Sequence, residues 1–228
     1  MRRQALAYDE SLPNFICTQE TRRTSAGLRE DKWKELDTLT IRLTYFGRKE
    51  DYRVVQVNGK PADKAMNKVG GWKTNGDFGS MLHAVFAAKS QAKFEWERSM
   101  TWNGRPVTVW KYHIAREHST FNSSASGFLH SSRVVFGVDG TIYADAETNH
   151  VLRLSVDAKD LPASYPVKEI HIALEYAKQK IGDTEYLLPA QSISESVMGK
   201  ERRKSETRFI DYRKFSTDTA IKYGDQKL

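Results

Sequence analysis

The sequence has one cysteine and no run of apolar residues approaching the roughly 20 that a membrane-spanning helix needs. Because a disulfide needs two thiols, the lone Cys17 excludes an internal disulfide, and it argues against a thiolate metal site, which usually uses two or more sulfurs. Aromatic residues nevertheless make up 11% of the 228 residues. This composition indicates a soluble globular protein with a sizeable core.

Catalytic and cofactor-binding motifs are also missing. There is no phosphate-binding glycine loop, helical pair of zinc histidines, nucleophile elbow or paired-cysteine pattern. Glu95 and Glu97 are two residues apart, as an acid–base pair could be, but we expect both to face solvent. We therefore predict a protein that is not an enzyme and has no cofactor or metal. The six histidines are scattered along the chain: His83, His113, His118, His130, His150 and His171.

Charge is concentrated near the C-terminus. Residues 200–214 hold seven bases and three acids, which is +4 of the total net charge of +7. This run predicts either a basic patch for an anionic partner or a solvated strand face with charges at a sheet edge. The patch is centred on Arg202, Arg203, Lys204 and Arg208.

Three turn dipeptides punctuate the chain, namely Asn58-Gly59, Asn103-Gly104 and Asp139-Gly140. Asparagine or aspartate before glycine readily adopts the positive φ angles of two-residue hairpins, so each dipeptide predicts a hairpin turn. Runs of alternating apolar and polar residues surround them, for example over 38–45 and 169–176. This period of two predicts antiparallel strands with one apolar face.

Around Asn103-Gly104, the alternation places Phe94, Trp96, Met100 and Trp102 on one predicted face. Arg98 falls on the same face, where an unpaired charge would be costly. We expect Arg98 to be paired, to extend its charge to an edge, or to meet a polar group of a ligand.

Two helices and one loop interrupt the strand pattern. The spacing of Ala5, Leu6 and Tyr8 predicts a short helix over 2–11, ended before Pro13. A second helix is predicted over 77–88, with Gly76 or Asp77 as its N-cap and an apolar stripe made by Phe78, Met81, Leu82, Val85 and Phe86. The Ser-, Asn- and Thr-rich stretch 117–127 is typical of a mobile loop.

The predicted fold is mainly β with some α. About ten or eleven antiparallel strands follow one another without a visible domain boundary, so many that the sheet must curl, close or split. The aromatic side chains on these strands either fill the core or line an apolar cavity. The candidate cavity residues are Trp33, Tyr45, Phe94, Trp96, Arg98, Trp110 and Tyr112.

Several segments resemble a family of uncharacterised exported bacterial proteins: Ser11–Gln19, Gly76–Gly79, Glu185–Pro189 and Tyr212–Phe215. The helix followed by a long antiparallel meander, together with Tyr143-Ala144-Asp145 and Val151–Leu154, is distantly similar to the periplasmic lipoprotein-carrier superfamily of LolA, LppX and RseB types. This resemblance implies one domain over residues 1–228, a curved half-barrel wrapped over about two helices. It also implies export and a cavity that accepts acyl chains.

The leading hypothesis is a periplasmic or secreted carrier for a lipid, a lipoprotein acyl chain or another apolar ligand. The N-terminus begins with polar residues and shows no signal peptide, so export rests on the resemblance. The first alternative is an envelope protein-interaction or sensor domain that docks through an exposed strand edge or through residues 200–214. Nucleic-acid binding and a hydrolase using His118 and Ser119 are weaker alternatives.

Overall fold

The computed structural model describes residues 1–65, 79–126 and 131–215. These residues form two short helices, a few 3₁₀ turns and thirteen strands. The helices are α1 (Arg2–Leu6) and α2 (Ser80–Phe86), and the strands are β1 (Phe15–Gly27), β2 (Lys34–Phe46), β3 (Lys49–Val57), β4 (Lys60–Ala65), β5 (Lys93–Trp102), β6 (Arg105–Ile114), β7 (Asn122–Ser126), β8 (Ser131–Val135), β9 (Gly137–Asp145), β10 (Val151–Lys159), β11 (Val167–Ile181), β12 (Thr184–Met198) and β13 (Glu201–Lys214).

Eleven of these strands form one open antiparallel sheet, and β7 and β8 form a separate two-stranded ribbon. The order in the large sheet is β4-β3-β2-β1-β13-β12-β11-β10-β9-β6-β5. Among the described strands, β4 and β5 are therefore the two edges. The first and last of the described strands, β1 and β13, are neighbours in the interior of the sheet, paired from Phe15 with Lys214 to Gly27 with Glu201.

The predicted hairpins at Asn58-Gly59 and Asn103-Gly104 are confirmed. Both residues of each dipeptide have positive φ, at 52° and 71° in the first and 49° and 75° in the second. They join β3 to β4 and β5 to β6. Asparagine supplies this backbone geometry because its short polar side chain tolerates the left-handed region.

The hairpin predicted at Asp139-Gly140 is wrong, because both residues lie inside β9. Gly140 sits opposite Tyr112 of β6, and the Tyr112 hydroxyl crosses it to donate a hydrogen bond to the Ser155 carbonyl, 2.7 Å away on β10. A side chain at position 140 would occupy the space of the Tyr112 ring. The glycine is there for this close approach and not for a turn.

The helical part of the fold is smaller than predicted. The opening helix is confirmed as α1 with a 3₁₀ turn at Asp9–Ser11. The second helix is confirmed over Ser80–Phe86, with its predicted residues Met81, Leu82, Val85 and Phe86 buried and Gly79 as its N-cap. The predicted caps Gly76 and Asp77, and also Phe78, lie outside the described residues.

The loop predicted over 117–127 is wrong for its second half. Residues Asn122–Ser126 form β7, which pairs with β8. A 3₁₀ turn at Arg116–His118 precedes this ribbon. Serine and asparagine are poor strand formers, so the cross-strand pairing overrides the local preference here.

The main buried cluster lies on one face of the large sheet, which we call the inner face, and a smaller buried cluster of Val107, Val109 and Leu152 lies on the other, outer face. In β1 and β2 the buried residues come in directly opposed pairs, such as Phe15 with Tyr45 and Cys17 with Leu43. Helix α2 packs its buried side chains into the same cluster. Cys17 is fully buried within it. Burial of this apolar surface, at about 25 cal/mol per Å², is what holds the helix on the sheet.

A bulge in β5 corrects the predicted apolar face of that strand. Trp96 lies opposite Trp110, but Arg98 lies opposite Val109, so Glu97 is an extra residue without a partner of its own. One extra residue turns every following side chain to the other face. Phe94 and Trp96 are therefore on the inner face, whereas Arg98, Met100 and Trp102 are on the outer face.

This shift resolves the apparent burial of Arg98. Its guanidinium lies 2.7 Å from the Glu97 carboxylate on the outer face, and its side chain is half exposed. Glu97 also forms an ion pair with Lys111, whose Nζ is 3.2 Å from the carboxylate. The prediction that Arg98 lies on the apolar face is therefore wrong, because the bulge turns its side chain to solvent.

Gly140→Ala should lower the free energy of unfolding by about 3 kcal/mol, as overpacking of a closed site does. The added Cβ would lie 2.2 Å from the Ser155 carbonyl oxygen and 2.4 Å from the Tyr112 ring. Denaturant unfolding followed by circular dichroism measures the change. Gly182→Ala is the control, because φ is +62° there with open space around it, and its cost should be about 1 kcal/mol. Equal losses in the two variants would contradict the role of the close approach.

Candidate functional site

A recess of about 340 Å³ opens beside α2 on the helix-bearing side of the sheet. We call it the α2 pocket. The β2–β3 hairpin, the helix with its following turn, and the residue two before β7 all contribute to it. Its lining residues are Tyr45, Arg48, Glu50, Ser80, His83, Ala84, Ala87, Lys89 and Thr120.

The local sequence fixes the walls of this pocket. Helix α2 turns its apolar stripe to the core, which leaves His83 and Ala84 partly exposed on the pocket side. The opposite wall is Tyr45, which is 2% exposed and stacks on Phe15 with ring centroids 5.1 Å apart. The pocket therefore lies directly against the main core.

The rim of the α2 pocket is mainly cationic. Arg48 lies at the β2–β3 turn with φ of 62°, and its guanidinium is 3.6 Å from the exposed Glu10 carboxylate, a distance typical of a weak surface pair. Lys89 is exposed on the turn after α2. The carboxylate in the lining, Glu50, accepts a hydrogen bond from the Tyr52 hydroxyl. Two permanent cations and one carboxylate give the pocket a positive balance.

On the opposite, outer face, two histidines and two aspartates form a row across four neighbouring strands. His113 faces Asp139, Asp139 faces Asp157, and Asp157 faces His171. Each histidine Nδ1 is 2.7 Å from an aspartate Oδ1, His113 from Asp139 and His171 from Asp157. A second recess of about 540 Å³ runs along this row between β5 and β10. We call these four residues the outer-face row.

The two carboxylates of the outer-face row face each other, and nearby cations compensate them. Burial raises the pKa of Asp139, but the hydrogen bonds from His113 and from Lys159, 3.2 Å away, outweigh burial and lower it. The hydrogen bond to Asp157 raises the pKa of His171 against the opposing effect of burial. Protonated His171 is thus favoured by its partner.

Three of the seven candidate cavity residues line the two recesses. Tyr45 is in the α2 pocket, and Phe94 and Tyr112 line the 540 Å³ recess. Phe94 also stacks on Phe86 of α2, with centroids 5.4 Å apart. Tyr112 is buried, and this burial raises its hydroxyl pKa well above the usual value.

The other candidates lie outside both recesses. Trp96 is 55% exposed beside Trp110 on the β5–β6 hairpin, and the Trp110 indole donates a hydrogen bond to the Thr108 hydroxyl at 3.1 Å. Arg98 is bound to Glu97 on the outer face. Trp33 stands before β2 and lies under two cations, the guanidinium of Arg202 and the ammonium of Lys204, each 5.0 Å from its ring.

The basic run occupies β13, which is an interior strand of the sheet. The prediction that these charges lie at a sheet edge is therefore wrong. Its members point to both faces, because Arg203 pairs opposite Ser196 while Lys204 pairs opposite Glu195. Arg202 donates to the backbone carbonyls of Gly27 and Glu30, and Lys204 lies 3.2 Å from Glu206. Arg208 is exposed and pairs opposite Glu20.

Sequence reasoning missed most of the α2 pocket and the whole outer-face row. Arg48, His83 and Lys89 are isolated polar residues in the sequence, and only the topology brings them together. The row likewise depends on the register of four strands. Within residues 1–65, 79–126 and 131–215, no group of His, Cys, Asp and Glu has the arrangement of a metal site. In the same ranges, no helix is long and apolar enough to cross a membrane.

No protein-family model and no curated protein matches this chain. Solved structures are similar to it at low identity. An outer membrane lipoprotein-sorting protein domain from Vibrio parahaemolyticus is 12% identical with a TM-score of 0.43, over 97% of this chain and 95% of that one. A DUF1329 family protein from Desulfovibrio piger is 9% identical with a TM-score of 0.44, over 99% and 97%.

A lipoprotein-sorting domain is thus among the structures similar to this chain, in agreement with the distant resemblance that the sequence shows. The described fold is an open, mostly antiparallel sheet, and its α part is minor.

The His171–Asp157 pair should make stability depend on pH. Because the folded pKa of His171 is raised, its contribution is fully present below the unfolded value of about 6.5 and is lost as the pH rises through the folded value. The pair is partly exposed, so the contribution should be about 0.5 kcal/mol. Proton NMR titration of His171 in the wild type and in Asp157→Asn measures the shift. The remote control is Asp183→Asn, which should leave the pKa of His171 unchanged. The same pKa of His171 in Asp157→Asn as in the wild type would contradict the prediction.

Proposed function

We propose that this chain is a binding or carrier protein for an amphiphilic ligand, and that the α2 pocket receives that ligand. The observation that supports this most is the combination of apolar side chains and two cations in one recess. Tyr45, Ala84 and Ala87 are the apolar part of the lining, and Arg48 and Lys89 are its cations, beside the polar residues Glu50, Ser80, His83 and Thr120. Such a lining suits an apolar chain that ends in a carboxylate or a phosphate group.

The size of the pocket and its energetics agree with a small ligand. Its volume of about 340 Å³ is at the lower end of the roughly 300–1,000 Å³ of ligand sites. Each methylene group buried against Tyr45, Ala84 and Ala87 contributes about 0.8 kcal/mol. The two rim cations attract the anionic head and raise the rate of encounter, an effect that salt weakens.

The wider proposal concerns the whole chain and its location. Residues 1–228 act as one half-barrel domain, exported to the periplasm or secreted, and bind without catalysis and without a cofactor. The unbroken order of strands from β4 to β5, with α2 packed on the inner face, supports this arrangement. The ligand classes are a lipid, a lipoprotein acyl chain or another apolar molecule with an acidic end.

The alternative of docking a protein through the basic residues 200–214 is weakened. Strand β13 has a neighbour on each side, so its backbone cannot accept an added strand. Three of its four central bases already have partners. Arg202 donates to the Glu30 carbonyl, Arg203 pairs with the Glu201 carboxylate, and Lys204 pairs with the Glu206 carboxylate. An anionic partner could contact only the outward parts of this strand.

A fluorescence titration with dansyl-labelled undecanoic acid tests the pocket. Ala84→Phe would fill it and should raise the Kd at least about tenfold. Ala88→Phe is the matched control, because Ala88 is an exposed alanine on the next turn and does not line the pocket. Absence of saturable binding by the wild type, or equal binding by the two variants, would exclude the α2 pocket as the site.

The rim requires a separate measurement. Lys89→Gln should weaken binding of the acid about threefold at low salt, the size of a partly exposed charge interaction. It should leave binding of undecanol, which has no charge, unchanged. Lys49→Gln is the control, since this exposed lysine lies next to Arg48 but outside the lining. Equal losses for acid and alcohol would rule out recognition of the anionic head.

A further inference from the structure

The β5–β6 hairpin exposes apolar side chains on both of its faces. Phe94 and Trp96 project on the inner face, whereas Met100 projects on the outer face, because of the bulge at Glu97. Trp102 is also on the outer face, where it packs against Tyr143. Trp96 is 55% exposed and Phe94 and Met100 are each 36% exposed. A hairpin that docked on one flat protein layer would need apolar groups on one face only. The two-sided exposure calls for surroundings that contact both faces.

Strand addition does not account for this edge. Strand β5 is an edge of the sheet formed by the described residues, and it contains Lys93, Glu95, Glu97 and Arg98 in addition to the bulge. Edge charges and bulges are the features with which natural sheets prevent another strand from pairing. The exposed aromatic groups therefore serve contact by side chains rather than by backbone.

The charge balance of the hairpin is positive. Residues 93–114 contain four bases and two acids. One acid, Glu97, is held by Arg98 at 2.7 Å and by Lys111 at 3.2 Å. The neighbouring turn contains two acids, Asp145 and Glu147, and Asp145 accepts hydrogen bonds from the backbone N–H groups of Thr148, at 2.8 Å, and of Glu147. Lys93 precedes the exposed Phe94 at the start of β5, and Arg105 lies opposite Trp102 at the tip of the hairpin.

Tryptophan and phenylalanine flanked by lysine and arginine match the chemistry of a membrane interface. The aromatic rings prefer the boundary between headgroups and acyl chains, and the long basic side chains reach the phosphate groups. We propose that the β5–β6 hairpin docks this protein on a phospholipid surface that contains anionic lipids, with Phe94 and Trp96 of one face and Met100 of the other entering the interface.

The hairpin is also continuous with the α2 pocket. Phe94 stacks on Phe86, and Ala87, the next residue along the chain, lines the pocket. A bilayer in contact with the hairpin would therefore lie one helix away from the proposed ligand site. The docking stands on its own observations and does not require that the α2 pocket bind a ligand.

Co-sedimentation with vesicles of equal parts phosphatidylcholine and phosphatidylglycerol tests the docking. Trp96→Ser should lower the partition coefficient roughly tenfold, since the indole supplies much of the buried apolar area. Phe46→Ser is the matched control, because Phe46 is also 55% exposed but lies at the end of β2. Equal partitioning of Trp96→Ser and the wild type would overturn the proposal.

Charge and lipid source are tested in parallel. Arg105→Glu should weaken vesicle binding severalfold without touching the aromatic groups, and vesicles of phosphatidylcholine alone should bind less than the anionic ones. Wild-type binding by Arg105→Glu, or loss of vesicle binding in moderate inorganic phosphate but not in sodium chloride of equal ionic strength, would overturn docking on lipid.

Two further readouts separate this proposal from protein folding and from the α2 pocket. Brominated phosphatidylcholine should quench wild-type tryptophan emission more than that of Trp96→Ser, since Trp33 lies elsewhere, beneath Arg202 and Lys204. Trp96→Ser should bind dansyl-undecanoic acid as the wild type does when vesicles are absent. Failure of that binding in both proteins would exclude the pocket and leave the vesicle result as the test of docking.

Discussion

The pairing of β1 with β13 is the contact on which the rest of the fold depends. It joins the first four strands to the remaining seven of the large sheet, across almost the full length of the chain. The Thr21 and Thr207 hydroxyls are hydrogen bonded across this seam at 2.9 Å, and Arg202 ties the turn after β1 through the Gly27 and Glu30 carbonyls. Without this seam, the wall of the α2 pocket that contains Tyr45 would not face the helix. Contacts so distant in sequence are slow to form, because a long loop must close first.

One inserted residue decides what the other end of the sheet offers to its surroundings. Had β5 paired without the bulge at Glu97, Phe94, Trp96, Met100 and Trp102 would share one face, and Arg98 would be among them. The bulge moves Arg98 to solvent and splits the aromatic groups between the two faces. The same residue that solves an electrostatic problem thus creates the two-sided apolar hairpin.

The sequence predicts the structure correctly where the local preference of a few residues decides the conformation. Asn58-Gly59 and Asn103-Gly104 need only their own backbone preference, and the stripe of α2 needs only its spacing. The sequence fails where a partner strand decides. Ser192, Ser194 and Ser196 are buried on the inner face while Ile193 is 39% exposed, because the register with β11 places the serines opposite Leu174, Ile172 and Ile170. No pattern rule would bury serine and expose isoleucine. The α2 pocket and the outer-face row depend on register in the same way.

Helix α2 connects the two regions to which function is assigned. With seven residues it is too short to be stable alone, so its position is set by Met81, Leu82, Val85 and Phe86 in the core. Phe86 carries the contact to Phe94 of the hairpin, and the other side of the same turn carries Ala84 and Ala87 of the pocket. A densely packed core leaves little room for α2 to shift. The length and burial of α2 therefore fix both the contact with the hairpin and one wall of the pocket on a single short element.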